Sequence, residues 1–195
     1  MVKYDSETAL IVVDAQNDFA DPAGSLYVPG GEEAIAAMNE HIRRARAAGA
    51  LVAYTQDWHP GHTPHFAQDG GIWPVHCVAE SWGAAFHPAL DVVDGPIVKK
   101  GTEGEDGYSG FTVRDPQTGE TSPTELEGVL RERGITNVVV VGLATDYCVK
   151  ETAIDAARAG FSVTVPRDGI RAVNLQPGDG EKALAAMQDA GAQLA

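Results

Sequence analysis

Three reactive side chains stand at the ends of separate apolar runs in this chain. Asp14 closes the run TALIVVD, Lys100 closes GPIVKK, and Cys148 follows NVVVVGLATDY. A cysteine nucleophile needs a base that takes its proton and a nearby positive charge. Taken alone, an aspartate after a strand is usually a cap, a lysine is usually a solvated charge, and a cysteine is usually a small core residue. At one edge of a sheet, the three together predict nucleophilic chemistry at Cys148.

A second group of polar residues lies in residues 56–94, a stretch with little periodicity that holds five of the six histidines and all three tryptophans. A loop this long in a compact domain is usually functional. Four residues form a reasonable ligand set for Zn²⁺, Fe²⁺ or Mn²⁺: Asp57, His59, His65 and His76. His62 and Cys77 are competing candidates. The alternative is a surface loop that packs through its proline and tryptophan side chains.

The rest of the chain alternates between β-branched runs and helical spacing. The apolar runs predict strands at residues 8–16, 50–55, 95–100, 137–142 and 161–166, and near 192–195. Helical patterns lie between these strands, and glycines end most of them. This alternation predicts a doubly wound α/β fold, a mostly parallel sheet with helices on both faces, within a single domain of residues 1–195. Such sheets bind ligands at the carboxyl ends of their strands.

Two helix starts have specific signals. Ser122 is expected to cap a helix whose first residue is Pro123, and Glu125 completes a capping box. Thr145 is expected to cap the helix after the strand at 137–142. That cap would place Cys148 in the first helical turn, where unpaired N–H groups favour an anion.

The composition argues against some classes of binding partner and favours one cellular location. The net charge of −14 argues against nucleic acid or an anionic membrane surface as a partner. The sequence has neither a signal-peptide pattern at its start nor an apolar run of about 18 residues. Two cysteines are too few for a disulfide framework, which favours a reduced, cytoplasmic setting. We expect a monomer or a small homo-oligomer that acts on a small molecule.

Six motifs carry a resemblance to a known family. LIVVDAQNDF, DWHPGHTPHF, WPVHC, VKKGT, YSGF and VGLATDYCV occur in that family's order between residues 10 and 149. The chain thereby resembles the nicotinamidase (pyrazinamidase) family of cysteine hydrolases, within the isochorismatase-like superfamily. The resemblance implies a six-stranded, Rossmann-like three-layer domain. It also implies hydrolysis of nicotinamide to nicotinate and ammonia through a thioester, action on pyrazinamide and a role in NAD salvage.

The resemblance assigns roles to the reactive residues. It implies Cys148 as the nucleophile, Asp14 as the acid/base, and Lys100 as the third member of the triad. Lys100 rather than Lys99 is chosen because the family's lysine directly precedes a glycine. One divalent ion, Zn²⁺ with Fe²⁺ or Mn²⁺ as alternatives, is implied on four ligands: Asp57, His59, His65 and His76. His62 and Cys77 then lie outside the ligand set.

The resemblance also implies a substrate pocket. Phe19 and Trp73 match its aromatic walls, with Tyr108 as a further neighbour. Leu143 and Ala144 adjoin the substrate through a cis peptide bond, and the N–H groups of Ala144 and Cys148 form the oxyanion hole. Tyr147 departs from relatives that carry histidine before the cysteine, so the rim of the pocket differs from theirs.

Two other functions fit parts of this pattern. An amidase of the same superfamily that acts on a carbamoyl or ureido substrate would use the same triad. A non-enzymatic redox or metal-sensing module would use Cys148 and the histidine loop, but it leaves Asp14 and Lys100 without a role. Plain isochorismatases lack the nucleophilic cysteine, so Cys148 argues against that branch.

Overall fold

The computed structural model describes residues 2–195, and a parallel β-sheet forms the centre of the fold. The strands of this sheet and of a separate hairpin are β1 (Thr8–Val13), β2 (Leu51–Asp57), β3 (Ile97–Lys100), β4 (Thr112–Arg114), β5 (Thr121–Pro123), β6 (Asn137–Leu143), β7 (Ser162–Val165), β8 (Ile170–Arg171) and β9 (Gln193–Leu194). The helices are α1 (Asn17–Ala20), α2 (Gly31–Ala47), α3 (Leu126–Glu132), α4 (Lys150–Arg158) and α5 (Asp179–Asp189).

The central sheet has the order β3-β2-β1-β6-β7-β9, and all of its pairs are parallel. The short strand β8 pairs with β6 beside this path, and β4 and β5 form a separate antiparallel hairpin. From β1 the sheet grows to one side through β2 and β3 and to the other side through β6. The strand order therefore reverses between β1 and β6, the place where doubly wound sheets bind ligands. The predicted fold class is confirmed.

The sheet is covered on both faces, which explains the continuous apolar run in β1. Ile11 and Val13 pack on one face with the buried residues of α3, α4 and α5, whereas Leu10 and Val12 pack on the other face with those of α2. A strand with one face in water would alternate apolar and polar residues. Full burial of β1 fixes its register, and with it the position of Asp14 at the end of the strand.

The predicted start of α3 is wrong. Residues 121–123 form β5, and Ser122 is the register partner of Val113 in β4. The helix begins at Leu126, whose N–H donates to Thr124 Oγ1 at 3.2 Å. Ser122 and Pro123 of the predicted capping box therefore pair with β4. The Thr124 hydroxyl accepts an N–H group at the start of the helix instead.

The predicted cap at Thr145 is also wrong, because the chain after β6 first makes a π-helical turn at Thr145–Val149 that has no side-chain cap. α4 follows directly at Lys150. Both cysteines, Cys77 and Cys148, are buried and free. Among residues 2–195, no helix is long and apolar enough to cross a membrane.

Candidate active site

Three charged side chains meet at the carboxyl ends of β1, β2 and β3. Asp14 follows the last residue of β1, while Asp57 and Lys100 end their strands as register partners. Lys100 Nζ lies 2.7 Å from Asp14 Oδ2 and 2.9 Å from Asp57 Oδ1, and it also donates to the carbonyl of Gly107. All three side chains are buried. One buried positive charge thus lies between two buried carboxylates and offsets part of their charge.

The alternation of side chains along β3 separates the two adjacent lysines. Lys100 is fully buried, whereas Lys99 is exposed and its Nζ lies 3.5 Å from the ring centroid of Trp58. Successive residues of a strand point to opposite faces. Lys100 is therefore the lysine that reaches the carboxylates, in agreement with the choice made from the sequence.

The charges of this trio shift one another's pKa values. Burial would lower the pKa of Lys100, but the charges of Asp14 and Asp57 outweigh burial and raise it well above its usual value. Burial raises the pKa of Asp14 to about 6, because it outweighs the opposing effect of Lys100. Burial also acts to raise the pKa of Asp57, but Lys100 and the histidines hold it well below its usual range. At neutral pH Asp14 is a carboxylate that takes up a proton readily.

Cys148 lies beside this trio. Its Sγ and one carboxylate oxygen from each of Asp14 and Asp57 lie within 4.8 Å of one another. Burial raises the pKa of the thiol well above its usual value, and the charges of Asp14 and Asp57 act in the same direction, whereas the charge of Lys100 opposes them. Lys100 acts on the thiol in the expected direction, but burial and the carboxylates together outweigh it. The thiol keeps its proton until a base removes it.

The turn that carries Cys148 is built on backbone contacts. The Leu143–Ala144 peptide bond is cis, as the family resemblance implies. The Ala144 carbonyl accepts the N–H groups of both Tyr147 and Val149 at 3.1 Å, and the second of these bonds spans five residues. π-helical turns of this kind are rare and occur frequently at functional sites.

Asp146 fixes the same turn from the other side. Its carboxylate accepts the N–H of Val173 at 2.9 Å and that of Asn174 at 2.7 Å. Val173 lines the cavity in front of Cys148. The carboxylate therefore joins the turn of the thiol to a wall of the cavity.

Next to the trio, three buried histidines converge. One ring nitrogen from each of His59, His65 and His76 lies within 4.8 Å of the other two. Asp57 Oδ2 lies 3.6 Å from His59 Nε2 and 3.8 Å from His76 Nε2. Phe66 packs against all three imidazoles, with centroid distances of 5.4 to 6.0 Å. The four ligand candidates from the sequence thus form one cluster.

The donor set fits a divalent metal ion. His59 is fully buried, yet neither of its ring nitrogens has a hydrogen-bond partner among the described residues. Leaving such a group unpaired costs about 1–3 kcal/mol. His65 Nδ1 and His76 Nδ1 are engaged by Asp106 and by the Pro74 carbonyl, at 2.6 and 2.7 Å. Imidazole and carboxylate donors in this arrangement are the usual ligands of first-row divalent ions.

The competing ligand candidates lie elsewhere. His62 is exposed, and its Nδ1 lies 3.2 Å from Asp69 Oδ1. Cys77 is fully buried, and its Sγ contacts the carbonyl of Gly83 at 3.8 Å. Neither belongs to the three-histidine cluster.

A cavity opens between the thiol and the histidines. Its lining includes the predicted wall residues Phe19, Trp73, Tyr108 and Ala144 together with Leu26, Asp57, His65, His76, Gly107, Tyr147, Cys148 and Val173. Trp73 Nε1 donates to the Tyr108 hydroxyl at 2.8 Å, and the Trp73 and Tyr147 rings meet edge to face at 4.9 Å. Leu143 is absent from this lining because its side chain packs in the core, which restricts its predicted substrate contact to the backbone.

Sequence reasoning missed three polar residues that hold the site: Asp146, described above, Gln16 and Asp106. The side-chain amide of Gln16 donates to the Asp57 carbonyl and accepts the Asp57 N–H, both at 2.8 Å. Asp106 contacts His65 as described above. Gln16 stands in the polar end of the first apolar run, a signal that could have identified it, whereas Asp106 lies in a loop without any such pattern.

Comparisons with known proteins show which sequences and folds this chain resembles. The family model described as the isochorismatase domain matches residues 8–195. The nicotinamidase of Escherichia coli is 38% identical over 203 residues, which cover 95% of this chain and 93% of the relative. The crystal structure of the pyrazinamidase of Pyrococcus horikoshii in complex with zinc has a TM-score of 0.87 at 41% identity, and the match covers 97% and 98% of the two chains. The crystal structure of PnC1 from L. infantum in complex with nicotinate has a TM-score of 0.88 at 36% identity, with coverage of 100% and 95%.

Proposed function

This chain belongs to the isochorismatase family, and we propose that it is a nicotinamidase that hydrolyses nicotinamide to nicotinate and ammonia. The observation that carries the proposal is the single cavity that Cys148 shares with Asp57, His65 and His76 between aromatic walls. A pyridine ring needs an apolar slot of this kind and a partner for its ring nitrogen. The sequence relatives and structural neighbours that act on or bind nicotinamide-type ligands support the same substrate.

The first half of the reaction begins with a proton transfer between two neighbouring side chains. Asp14 takes the proton from Cys148 Sγ, and the thiolate attacks the carboxamide carbon of the substrate. Lys100 stays protonated and balances the charge that passes between Asp14 and the thiol. The N–H groups of Ala144 and Cys148 stabilise the oxyanion, a contribution of about 3 kcal/mol for one such donor.

The second half returns the site to its starting state. Asp14 gives its proton to the departing nitrogen, the C–N bond breaks and ammonia departs. The acyl group remains bound to Cys148 as a thioester. A water molecule then gives a proton to Asp14 and adds to the thioester carbon. Breakdown of this adduct breaks the C–S bond, the thiolate regains the proton from Asp14, and the product leaves as nicotinic acid, which releases a proton to water to give nicotinate.

The metal site serves to orient the substrate. We assign its ligands to Asp57, His59, His65 and His76, and we assign zinc as the ion on the strength of the Pyrococcus horikoshii relative. A divalent ion bound there supplies a Lewis-acid contact for the pyridine nitrogen, directly or through water. Phe19 and Trp73 hold the two faces of the ring, and this slot suits pyrazinamide equally well. We place the reaction in NAD salvage because it produces nicotinate from nicotinamide.

An ammonia-release assay tests the proposal. The purified protein is given nicotinamide, pyrazinamide and an N-carbamoyl amino acid in parallel, and the metal content of the same preparation is measured by elemental analysis. We expect ammonia from the first two substrates and about one divalent ion in each chain. Ammonia from the carbamoyl compound alone would instead assign the chain to the superfamily's carbamoyl or ureido amidases.

A further inference from the structure

The second ring nitrogen of His65 contacts a carboxylate that no step of the proposed hydrolysis uses. His65 Nδ1 lies 2.6 Å from Asp106 Oδ1, and both side chains are buried. Asp106 lies between β3 and β4, outside the loop that carries the histidines, and the contact joins residues 41 positions apart. This contact therefore links the histidine-bearing loop (residues 56–94) to a separate segment of the chain.

We propose that Asp106 is a positioning residue that fixes the tautomer and the ring orientation of His65. An ionised carboxylate only accepts hydrogen bonds, so His65 Nδ1 carries the proton and donates it to this contact. His65 Nε2 then keeps its lone pair and is the nitrogen left to bind the ion. A carboxylate partner also makes a ligating imidazole a stronger donor. The proposal rests on the metal site of the proposed function.

Arg114 holds Asp106 in this position. Arg114 Nη2 donates to Asp106 Oδ2 at 2.7 Å, so the two carboxylate oxygens have separate partners. The backbones of the two residues are paired as well, with N···O distances of 2.7 and 3.2 Å. Since Arg114 ends β4, the β4–β5 hairpin supports the orientation of His65 through Asp106. A carboxylate fixed at both oxygens and at its backbone cannot swing away from the imidazole.

A second histidine–carboxylate pair in the same loop provides a matched control. His62 Nδ1 lies 3.2 Å from Asp69 Oδ1, but His62 is exposed and lies outside the three-histidine cluster. The substitution Asp69→Asn removes a carboxylate from a histidine of this loop that is not one of the four assigned ligands. Any effect that comes only from a general disturbance of the loop should appear in this variant too.

Metal retention by the full-length, zinc-loaded protein tests the proposal. The wild type and the variants Asp106→Asn, Asp106→Glu and Asp69→Asn are equilibrated with increasing chelator, and bound zinc is measured by elemental analysis. We expect Asp106→Asn to bind zinc about 10–100-fold more weakly. Asp106→Glu, which restores a carboxylate, should recover part of this loss, and Asp69→Asn should match the wild type. The visible spectrum of the cobalt-loaded protein should change in Asp106→Asn and not in Asp69→Asn.

The outcomes separate this proposal from the one on which it rests. Equal zinc retention and equal cobalt spectra in the wild type and Asp106→Asn would overturn the positioning role. A wild type that retains no zinc would overturn the proposed metal site itself. If Asp106→Asn does not fold, Arg114→Gln provides the test, because it frees one oxygen of the carboxylate. Its expected loss of affinity is less than about tenfold, and an unchanged affinity would overturn the proposal.

Discussion

Lys100 is the residue whose removal should most disturb the charge balance of this site. Its Nζ lies 2.7 Å from Asp14 Oδ2 and 2.9 Å from Asp57 Oδ1, and all three side chains are buried. Lys100→Met keeps the length of the side chain but leaves two buried carboxylates without a counter-charge. Removing one partner of a buried ion pair costs about 3–5 kcal/mol of unfolding free energy. We expect a loss of that size at pH 8.

This loss should shrink in acid because a proton can neutralise Asp14. In the wild type, burial outweighs Lys100 and raises the pKa of Asp14 to about 6; without Lys100 this pKa rises further. A group whose pKa is higher in the folded than in the unfolded state stabilises the protein at low pH. This contribution is lost as the pH rises through the folded-state pKa. In the wild type the contribution of Asp14 is lost by about pH 6. In Lys100→Met the pKa of Asp14 is higher, so the stability continues to fall above pH 6. The difference between the two proteins is therefore smaller at pH 5 than at pH 8.

Denaturant unfolding at pH 5 and pH 8, at equal metal content, measures both effects. Lys99→Met is the matched control, because Lys99 is the exposed neighbour whose Nζ lies over the Trp58 ring. Exposed cation–π contacts contribute about 0.5–1 kcal/mol, so this control should lose no more than that. A loss below about 1 kcal/mol for Lys100→Met at pH 8, or an equal loss at both pH values, would refute the reasoning.

Three further predictions concern the base, the metal and the sheet. Because Asp14 must be ionised to act as the base and has a pKa of about 6, kcat/KM should rise with pH through about 6; a flat profile between pH 5 and 8 would contradict this role. His59→Ala should lower the metal content and raise the KM, and an unchanged metal-to-protein ratio would count against the ligand set. Gly142 has a φ of 129°, and a Cβ there would lie 2.1 Å from the Val13 carbonyl oxygen. Gly142→Ala should therefore strongly lower the unfolding midpoint, whereas Gly128→Ala, with open space around the new Cβ, should not; equal midpoints would contradict the close approach.

The strands and the residues at their ends were readable from the sequence. A central parallel strand is buried on both faces, so its sequence is a continuous apolar run. The end of the strand is recognisable where polar residues begin. Asp14, Lys100 and Cys148 were found in this way, and the sheet brings them together. The roles of these residues, and the extent of the domain as residues 1–195, stay predictions.

Long-range contacts were not readable from the sequence. Ser122 has the local signal of a helix cap, but pairing with β4 takes it into a strand. Asp106 has no local signal, because its importance comes from a contact with His65 that only the folded chain creates. The raised pKa of Cys148 was not readable for a similar reason, since burial and two carboxylates from other strands together outweigh the opposing charge of Lys100.

The central claim is that Cys148 is the nucleophile that attacks the carboxamide. The most direct measurement is ammonia release from nicotinamide by Cys148→Ala, with metal content determined on the same sample and Cys77→Ala as the control for loss of a buried, free thiol. We predict that Cys148→Ala releases no ammonia above the uncatalysed background while it retains its metal, and that Cys77→Ala remains active. Turnover by Cys148→Ala at a rate comparable to that of the wild type would contradict the claim.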